Sequence, residues 1–450
     1  MAQIRFKSRR VITPFGERGA SIHVDQGVIS AIHEYACACA SEVTHDFGDR
    51  VIMPGLVDAH VHINEPGRTE WEGFSTATRA AAAGGVTTII DMPLNSVPAT
   101  TTVAALHMKQ DAAAGQCQVD VGFWGGLVPG NLADLSALHA AGVFGFKCFM
   151  TDSGVPEFDW VGPHDLHRAA PIIKELDALL LAHAEWPEII DAAWHEVLPA
   201  ANLRSYDDYA RSRPPDAEVR AIEFLIELAR RHGCRVHVVH LSAAEALGKL
   251  DEARAEGLPV TVETCPHYLM FAAEEIVDGA TAFKCAPPIR DYQRSEELWD
   301  GLRRGSIDII VSDHSPAPPE LKLLEVGDFS RAWGGIASLQ LGLNAVWTGA
   351  GVRGADLSDV AQWMCAGPAQ LLRLQNKGVI EVGRDADLVV LEPDGVHMVD
   401  ARQLQHRHKI TPYDGMFLRG EVQATFLRGE AVYEHGEFSA PRGQLLQRTS

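Results

Sequence analysis

The sequence predicts an α/β fold: a (β/α)8 TIM-like barrel beside a small β-sandwich formed by both termini. Three observations predict it. Within the 450 residues, eight short apolar, β-rich runs alternate with helix-length amphipathic segments, the pattern of βα units closing into a parallel barrel. Both ends of the chain carry β-patterned pieces without helical periodicity. Histidines, a lysine and an aspartate interrupt the apolar barrel runs, and they do so near the C-terminal ends of the runs.

Residues 1–54 alternate IRFKSRRVIT, ASIHVDQGVISAI and DRVIMPG with turn residues and form the first part of the sandwich. The barrel occupies 55–377. Its eight runs are 56–63, 87–92, 119–128, 142–150, 179–185, 235–242, 259–265 and 307–314, with helices expected at 74–83, 217–232, 243–256 and 335–348. From 378 to 450 the chain returns to β-patterned pieces, DADLVVLEP and ATFLRGEAVY, which complete the sandwich and lead into a C-terminal tail. The two ends are paired because each supplies the only β-material left without a partner.

Aliphatic and aromatic residues make up 46% of the chain and charged residues 22%, enough for a large core and unlike a disordered protein. The 39 Lys and Arg against 60 Asp and Glu leave a net charge of −21 with no basic block, which argues against nucleic-acid and anionic-membrane partners. No leader-like segment opens the chain and no apolar run approaches the roughly 20 residues that span a bilayer, so a soluble, cytoplasmic protein is expected. Of the eight cysteines only Cys37 and Cys39 are close together, and all are expected as thiols. Cys148, Cys265 and Cys285 sit in strand-like runs, as small buried hydrophobes do.

The rim residues carry the chemistry. His60 and His62 lie two apart on one strand, so both project to the same face as a chelating pair. His183, His240 and Asp313 end three further strands at the same rim, where barrel enzymes build their active sites. Imidazoles with a carboxylate suit zinc and similar divalent ions. Lys147, inside GFKCF, is a buried cation beside them. Two readings stand: carbamylation by CO₂ makes it an anionic bridge between two ions, or it snorkels unmodified to the rim. Two divalent ions at such a site generate a nucleophile from water and polarise a carbonyl. Asp313 is either the proton carrier between nucleophile and leaving nitrogen or a structural ligand only. His237 is out of phase with His240 and reads as structural, as does His267, which has pocket lining as its other reading. No nucleophile elbow, phosphate-binding loop or H-E-x-x-H motif competes.

The motifs MPGLVDAHVH (53–62), AGGVTTIIDMP (83–93), FKCFM (146–150), HAE (183–185), VHLS (239–242), ETCPHYL (263–269), SDHSP (312–316) and GRDADLVVLEP (383–393) resemble those of the cyclic amidohydrolases. That family includes dihydroorotases, hydantoinases, dihydropyrimidinases and allantoinases, and the resemblance covers most of the chain. It implies two metal ions, one held by His60, His62 and Asp313 and the other by His183 and His240, with carbamylated Lys147 between them. It also implies the barrel with its sandwich and a homotetramer. Zinc is the first expectation for the metal, with manganese, cobalt, nickel and iron accepted by the same donors.

Dihydroorotases carry Arg two positions after the second histidine; this chain has Asn64, which argues against an anionic substrate. HINEPGRTEWEGF (62–74), DMPLNSVPAT (91–100), KCAPPIR (284–290), PELKLLEVGDFSRAWGGI (319–336) and ITPYDG (410–415) resemble the allantoinase branch. By that resemblance the substrate is allantoin, a small molecule hydrolysed at its ring amide to allantoate in purine catabolism. Asn64 and the segment around Cys285 are candidates for hydrogen-bonding the ring and its ureido group, or else for supporting the rim. Arg68 is expected to order the first loop through Glu65 or Glu70. The competing readings are a hydantoinase or dihydropyrimidinase and a non-catalytic scaffold; scaffolds of this kind lose ligand positions, and here all six are filled.

Overall fold

The computed structural model describes residues 3–38 and 41–448. The N-terminal strands β1 (Ile4–Thr13), β2 (Gly16–Asp25), β3 (Val28–Glu34), β4 (Val43–Asp46) and β5 (Val51–Pro54) precede the barrel. The barrel strands are β6 (Leu56–Val61), β7 (Val86–Asp91), β8 (Asp120–Phe123), β9 (Gly125–Gly126), β10 (Gly145–Phe149), β11 (Leu179–His183), β12 (Arg235–Val238), β13 (Val260–Thr264) and β14 (Ile309–Ile310). The strands β15 (Leu388–Met398), β16 (Phe417–Leu427), β17 (Glu430–Glu434) and β18 (Glu437–Phe438) follow it.

All the barrel pairings are parallel, in the orders β6-β7-β8 and β9-β10-β11-β12-β13-β14. Strands β8 and β9 are one expected run, 119–128, interrupted at Trp124. That residue keeps the wall continuous by donating its N–H to Asp91 O at 2.9 Å, and Phe144 N donates to Phe123 O at 3.0 Å. The opposite seam closes between the first and last strands, where His62 N donates to His314 O at 2.8 Å and Val61 bridges His314. The barrel is thus closed, which removes its sheet edges and fixes the rim as a ring.

Two of the four expected helices fall where the sequence places them. Phe74–Ala83 falls at 74–83, and Pro215–His232 begins with Pro at its first position and ends on Gly233 at φ 66. The segment expected at 243–256 opens as a short 3₁₀ turn before the helix Leu247–Ala255. The helix expected at 335–348 starts later, at Gly342, and runs to Val352. Residues 335–341 are held at the rim instead: Ile336 bridges His314, and the Ser338 and Leu339 N–H groups donate to His314 Nδ1. Gly335, at φ 131, lies so close to Ser315 O that an added Cβ would stand 2.3 Å from it.

Both ends of the chain share one sheet, ordered β18-β17-β16-β15-β5-β1-β2-β3 with β4 on β1. The join is β15 against β5, in the antiparallel register Leu388↔Pro54 to Leu391↔Val51. Strands β1 and β16 are three strand steps apart, about 14 Å along a flat sheet. Yet the rings of Phe6 and Phe426 meet edge-to-face at 4.8 Å between centroids. The sheet therefore folds over on itself, enclosing a core of its own with Ile22, Ile52, Leu388 and Val390. This is the sandwich expected from the two termini.

A buried ion cluster fastens that sheet to the barrel. Lys377 Nζ lies 2.7 Å from Asp120, 3.0 Å from Asp385 and 2.6 Å from Asp387, and Arg428 meets Asp120 at 2.6 Å. The Gln444 N–H adds the tail by donating to Asp120 at 2.8 Å. Cys117, Cys148, Cys234, Cys265, Cys285 and Cys365 are free and buried. Cys37 is disulfide-bonded, a correction to the thiols expected throughout, and Cys39 lies outside the described residues. Among the described residues no helix is long and apolar enough to cross a membrane.

Removing one partner of a buried charge cluster leaves the others uncompensated, at a cost of about 3–5 kcal/mol. Lys377→Met is expected to destabilise by that order in urea denaturation. A change below about 1 kcal/mol would contradict the fastening role.

Candidate active site

A cavity of about 590 Å³ opens at the C-terminal rim, within the size range of small-molecule sites. His60, His62, Lys147, His183, His240 and Asp313 all line it. They arrive from β6, the turn after β6, β10, the end of β11, the turn after β12 and the turn after β14. Two of them sit on left-handed backbone, His240 at φ 40 and Asp313 at φ 44. Non-glycine residues pay on the order of 1–3 kcal/mol for that conformation, and such strain concentrates at functional sites.

The ring nitrogens divide into those held by the protein and those left facing the cavity. His60 Nδ1 meets Glu263 Oε1 in a short contact, and a carboxylate only accepts, so Nδ1 carries the hydrogen. That leaves His60 Nε2 as a lone pair; it is buried, has no hydrogen-bond partner and lies 3.2 Å from Asp313 Oδ1. His62 Nε2 lies 3.5 Å from the same oxygen. His183 Nε2 donates to Glu185 Oε2 at 2.6 Å, and its Nδ1 lies 3.1 Å from His240 Nε2. Carboxylates behind imidazoles in this way fix ring orientation and tautomer and raise ligand basicity.

The electrostatics favour neutral rings. Burial pulls His62 down to about 4, lowers His183, and lowers His240 well below the usual histidine range. Burial works against the Asp313 carboxylate, but the surrounding histidines, His60 foremost, hold its pKa well below the ordinary value. Lys147 is 0% exposed, its Nζ has no hydrogen-bond partner, and burial brings its pKa down to about 8. Its amine lies 5.0 Å from the Phe149 ring centroid. Lys147 thus lines the cavity with its amine shielded from bulk solvent.

His60, His62 and Asp313 present ligand atoms close enough together to hold one ion. Cys265 and His267 form a second such group with Asp313; His267 is buried with both ring nitrogens unpartnered and does not line the cavity. His237 is a support: its ring meets Thr261 Oγ1 at 2.8 Å and Glu263 Oε2 at 2.9 Å.

Cys285 lines the cavity, with its carbonyl held by the Tyr209 hydroxyl at 2.6 Å and its thiol pushed up to about 12 by burial. Asn64 does not line it. Its side chain is buried behind the rim and donates to Pro316 O at 3.4 Å, while Asn95, at φ 71, occupies the lining. Arg68 also departs from expectation. It pairs with Glu157, donates to Asn95 O at 3.2 Å and stacks over Trp71, so it ties loops together across the rim. Glu65 instead accepts the N–H of Phe74 at the helix start.

Sequence reasoning missed the residues that hold the lining groups. Glu263 on β13 accepts from His60, His237 and the His240 N–H, the last at 3.2 Å. Arg213 grips Glu185, at 3.0 Å from Nε to Oε1. The available signal was an acidic residue in or just after an apolar strand, in HAE and ETC. Asp58 is a third, accepting the His60 and Ser312 N–H groups at 3.2 Å and joining the first strand to the last.

The family described as the amidohydrolase family matches residues 51–432. The chain is 51% identical over 448 residues to an allantoinase of Streptomyces avermitilis, covering 99% of each. It is 48% identical over 401 residues to an allantoinase of Saccharomyces cerevisiae, covering 88% of this chain and 86% of that one. Among solved structures, an L-hydantoinase (dihydropyrimidinase) from Arthrobacter aurescens superposes with a TM-score of 0.94 at 34% identity over 100% of both chains.

Glu263→Gln keeps the shape but removes the charge that orients His60. Changes of this kind weaken metal affinity about 10- to 100-fold. Metal retained after dialysis against a graded chelator series reads this directly. Retention equal to wild type would contradict the role given to Glu263.

Proposed function

We propose a function on the premise the family match supplies: this chain belongs to the amidohydrolase family. Its reaction is hydrolysis of the ring amide of allantoin to allantoate. The observation that carries the reading is the convergence of four imidazoles, one carboxylate and one buried amine on a single cavity at the barrel rim. The relation to allantoinases at 51% and 48% identity selects the substrate.

The residues fit a divalent-metal centre. His60 Nε2, His240 Nδ1 and Lys147 Nζ are buried polar atoms without partners, which natural proteins seldom leave unsatisfied. In this proposal His60, His62 and Asp313 would hold one ion and His183 and His240 a second, and a carbamate on Lys147 would supply a further anionic ligand. Zinc is the metal proposed, with manganese, cobalt, nickel and iron suited to the same donors. When bound, such a pair supplies a nucleophile from water near neutral pH and polarises the scissile carbonyl.

The chain's own residues do the rest. Glu263 holds the His60 ring, and Glu185, gripped by Arg213, holds the His183 ring. Asp313, kept ionised by the histidines around it, takes a proton from the attacking water and returns it to the ring nitrogen as the C–N bond breaks. The new carboxylate and the freed ureido nitrogen balance the added water. The Cys285 segment is proposed to hydrogen-bond the ring. A homotetramer belongs to the same proposal and rests on the family resemblance, and a cytoplasmic location is proposed with it.

Protein purified with divalent metal and bicarbonate is expected to convert racemic allantoin to allantoate with close to two metal ions per chain. Metal with turnover of hydantoin or dihydrouracil but not allantoin would move the assignment to a hydantoinase or dihydropyrimidinase. Metal-free, inactive protein after reconstitution would favour the scaffold. Lys147→Ala is expected to lose most metal and activity, with partial rescue by added short carboxylic acids; full activity would refute the bridge.

Carbamylation needs the neutral amine, whose fraction rises with pH through about 8 for Lys147, against about 10.4 for an ordinary lysine. Metal loading of stripped protein, with dissolved CO₂ held at one concentration across the series, should therefore speed up from pH 6.5 to 8. A rate that is flat or falling over that range would contradict this step.

A further inference from the structure

One side of the cavity is a single stretch of chain, residues 330–335, which is neither helix nor strand. Four of its six main-chain carbonyls accept from two lysines. Lys284 Nζ donates to Ser330 O at 3.4 Å and Ala332 O at 2.5 Å. Lys322 Nζ donates to Trp333 O at 3.0 Å, Gly335 O at 2.8 Å and Lys284 O at 3.4 Å. Burial pulls Lys322 down to about 7, and in its protonated form its three hydrogens match the three acceptors around it. The hold runs both ways, since the Gly335 N–H donates to Lys284 O at 2.8 Å and the Trp333 N–H to Leu321 O at 2.7 Å.

These acceptors are carbonyls, not carboxylates, and Lys322 is 3% exposed. Burying an ammonium is expensive, and an apolar side chain of similar volume fills such a place at least as stably where packing alone matters. What the lysines add is geometry. With four of its six carbonyls tied back, the stretch turns Arg331, Trp333 and the Gly334 backbone to the cavity. Trp333 is also braced from the opposite loop, edge-to-face on Trp71 at 4.9 Å.

We propose that Lys284 and Lys322 are positioning residues for substrate recognition: their carbonyl clamp fixes the 330–335 wall against the polar substituent of the ring and so sets KM. The inference rests on the cyclic-amide reading of the site. It separates from that reading because the wild-type assay decides the substrate before any variant is made, and the clamp is then tested on whichever cyclic amide wild type turns over, racemic allantoin first.

The test compares metal-loaded wild type with Lys284→Met, Lys284→Arg and Lys322→Met, measuring KM, kcat and metal content. Each methionine variant is expected to raise KM about tenfold with kcat reduced less than about threefold and metal content unchanged, the pattern of lost uniform binding. Lys284→Arg keeps donors for the two carbonyls and is expected to recover most of the KM. Lys322 does not line the cavity, so a KM effect there reports the wall and not direct contact. The clamp is overturned if Lys284→Met raises KM while a folded Lys322→Met does not, if neither does, or if kcat and metal content fall with KM unmoved. Should Lys322→Met fail to fold, the Lys284 pair decides: rescue by arginine supports the clamp and absence of rescue overturns it.

Discussion

Lys147 places an amine, 0% exposed and without a hydrogen-bond partner, on a strand whose neighbours on the rim contribute imidazoles. A buried ammonium costs several kcal/mol unless a counter-charge or hydrogen bonds offset it, and neutral histidines offer little of either. The rest of the site makes sense as the answer to that constraint. The rings line the same cavity as the amine, and the Asp313 carboxylate among them is held in its ionised form. Cations in the middle and a negative charge on the lysine would satisfy every one of these groups together.

Around this centre lies a layer of charge whose purpose is orientation. Glu263 serves two rings and one backbone N–H; Glu185 serves a third ring and is itself gripped by Arg213. Asp58 joins the first and last strands where the barrel closes. The same logic continues at the cavity wall, where lysines hold carbonyls, and at the junction with the terminal sheet, where Lys377 holds three carboxylates. The barrel supplies the ring of attachment points, and buried ion contacts set the angles.

Much of this was legible in the sequence because it is local. Eight apolar runs gave the barrel strands, and polar residues ending them gave the cavity lining, since strand period and strand end both show in a short window. The partners of those residues were not legible: Glu263 lies 203 positions from His60, and no local periodicity encodes that contact. Nearby acids are the local partners the sequence offers Arg68, and it instead reaches Glu157, 89 positions away. For Asn64 the sequence leaves substrate contact and rim support both open; the turn buries its side chain, and Asn95 lines the cavity. The helix expected from residue 335 failed for a similar reason. Its apolar pattern is helical, but Gly335 and the hydrogen bonds to His314 hold the first turn at the rim.

The most direct measurement is anomalous diffraction from crystals of the metal-loaded protein, recorded above and below the absorption edge of the metal used. The two-ion account predicts two peaks, one among His60, His62 and Asp313 and one at His183 and His240, with added density on Lys147 Nζ between them. A single peak, or peaks away from these side chains with Lys147 unmodified, would contradict it.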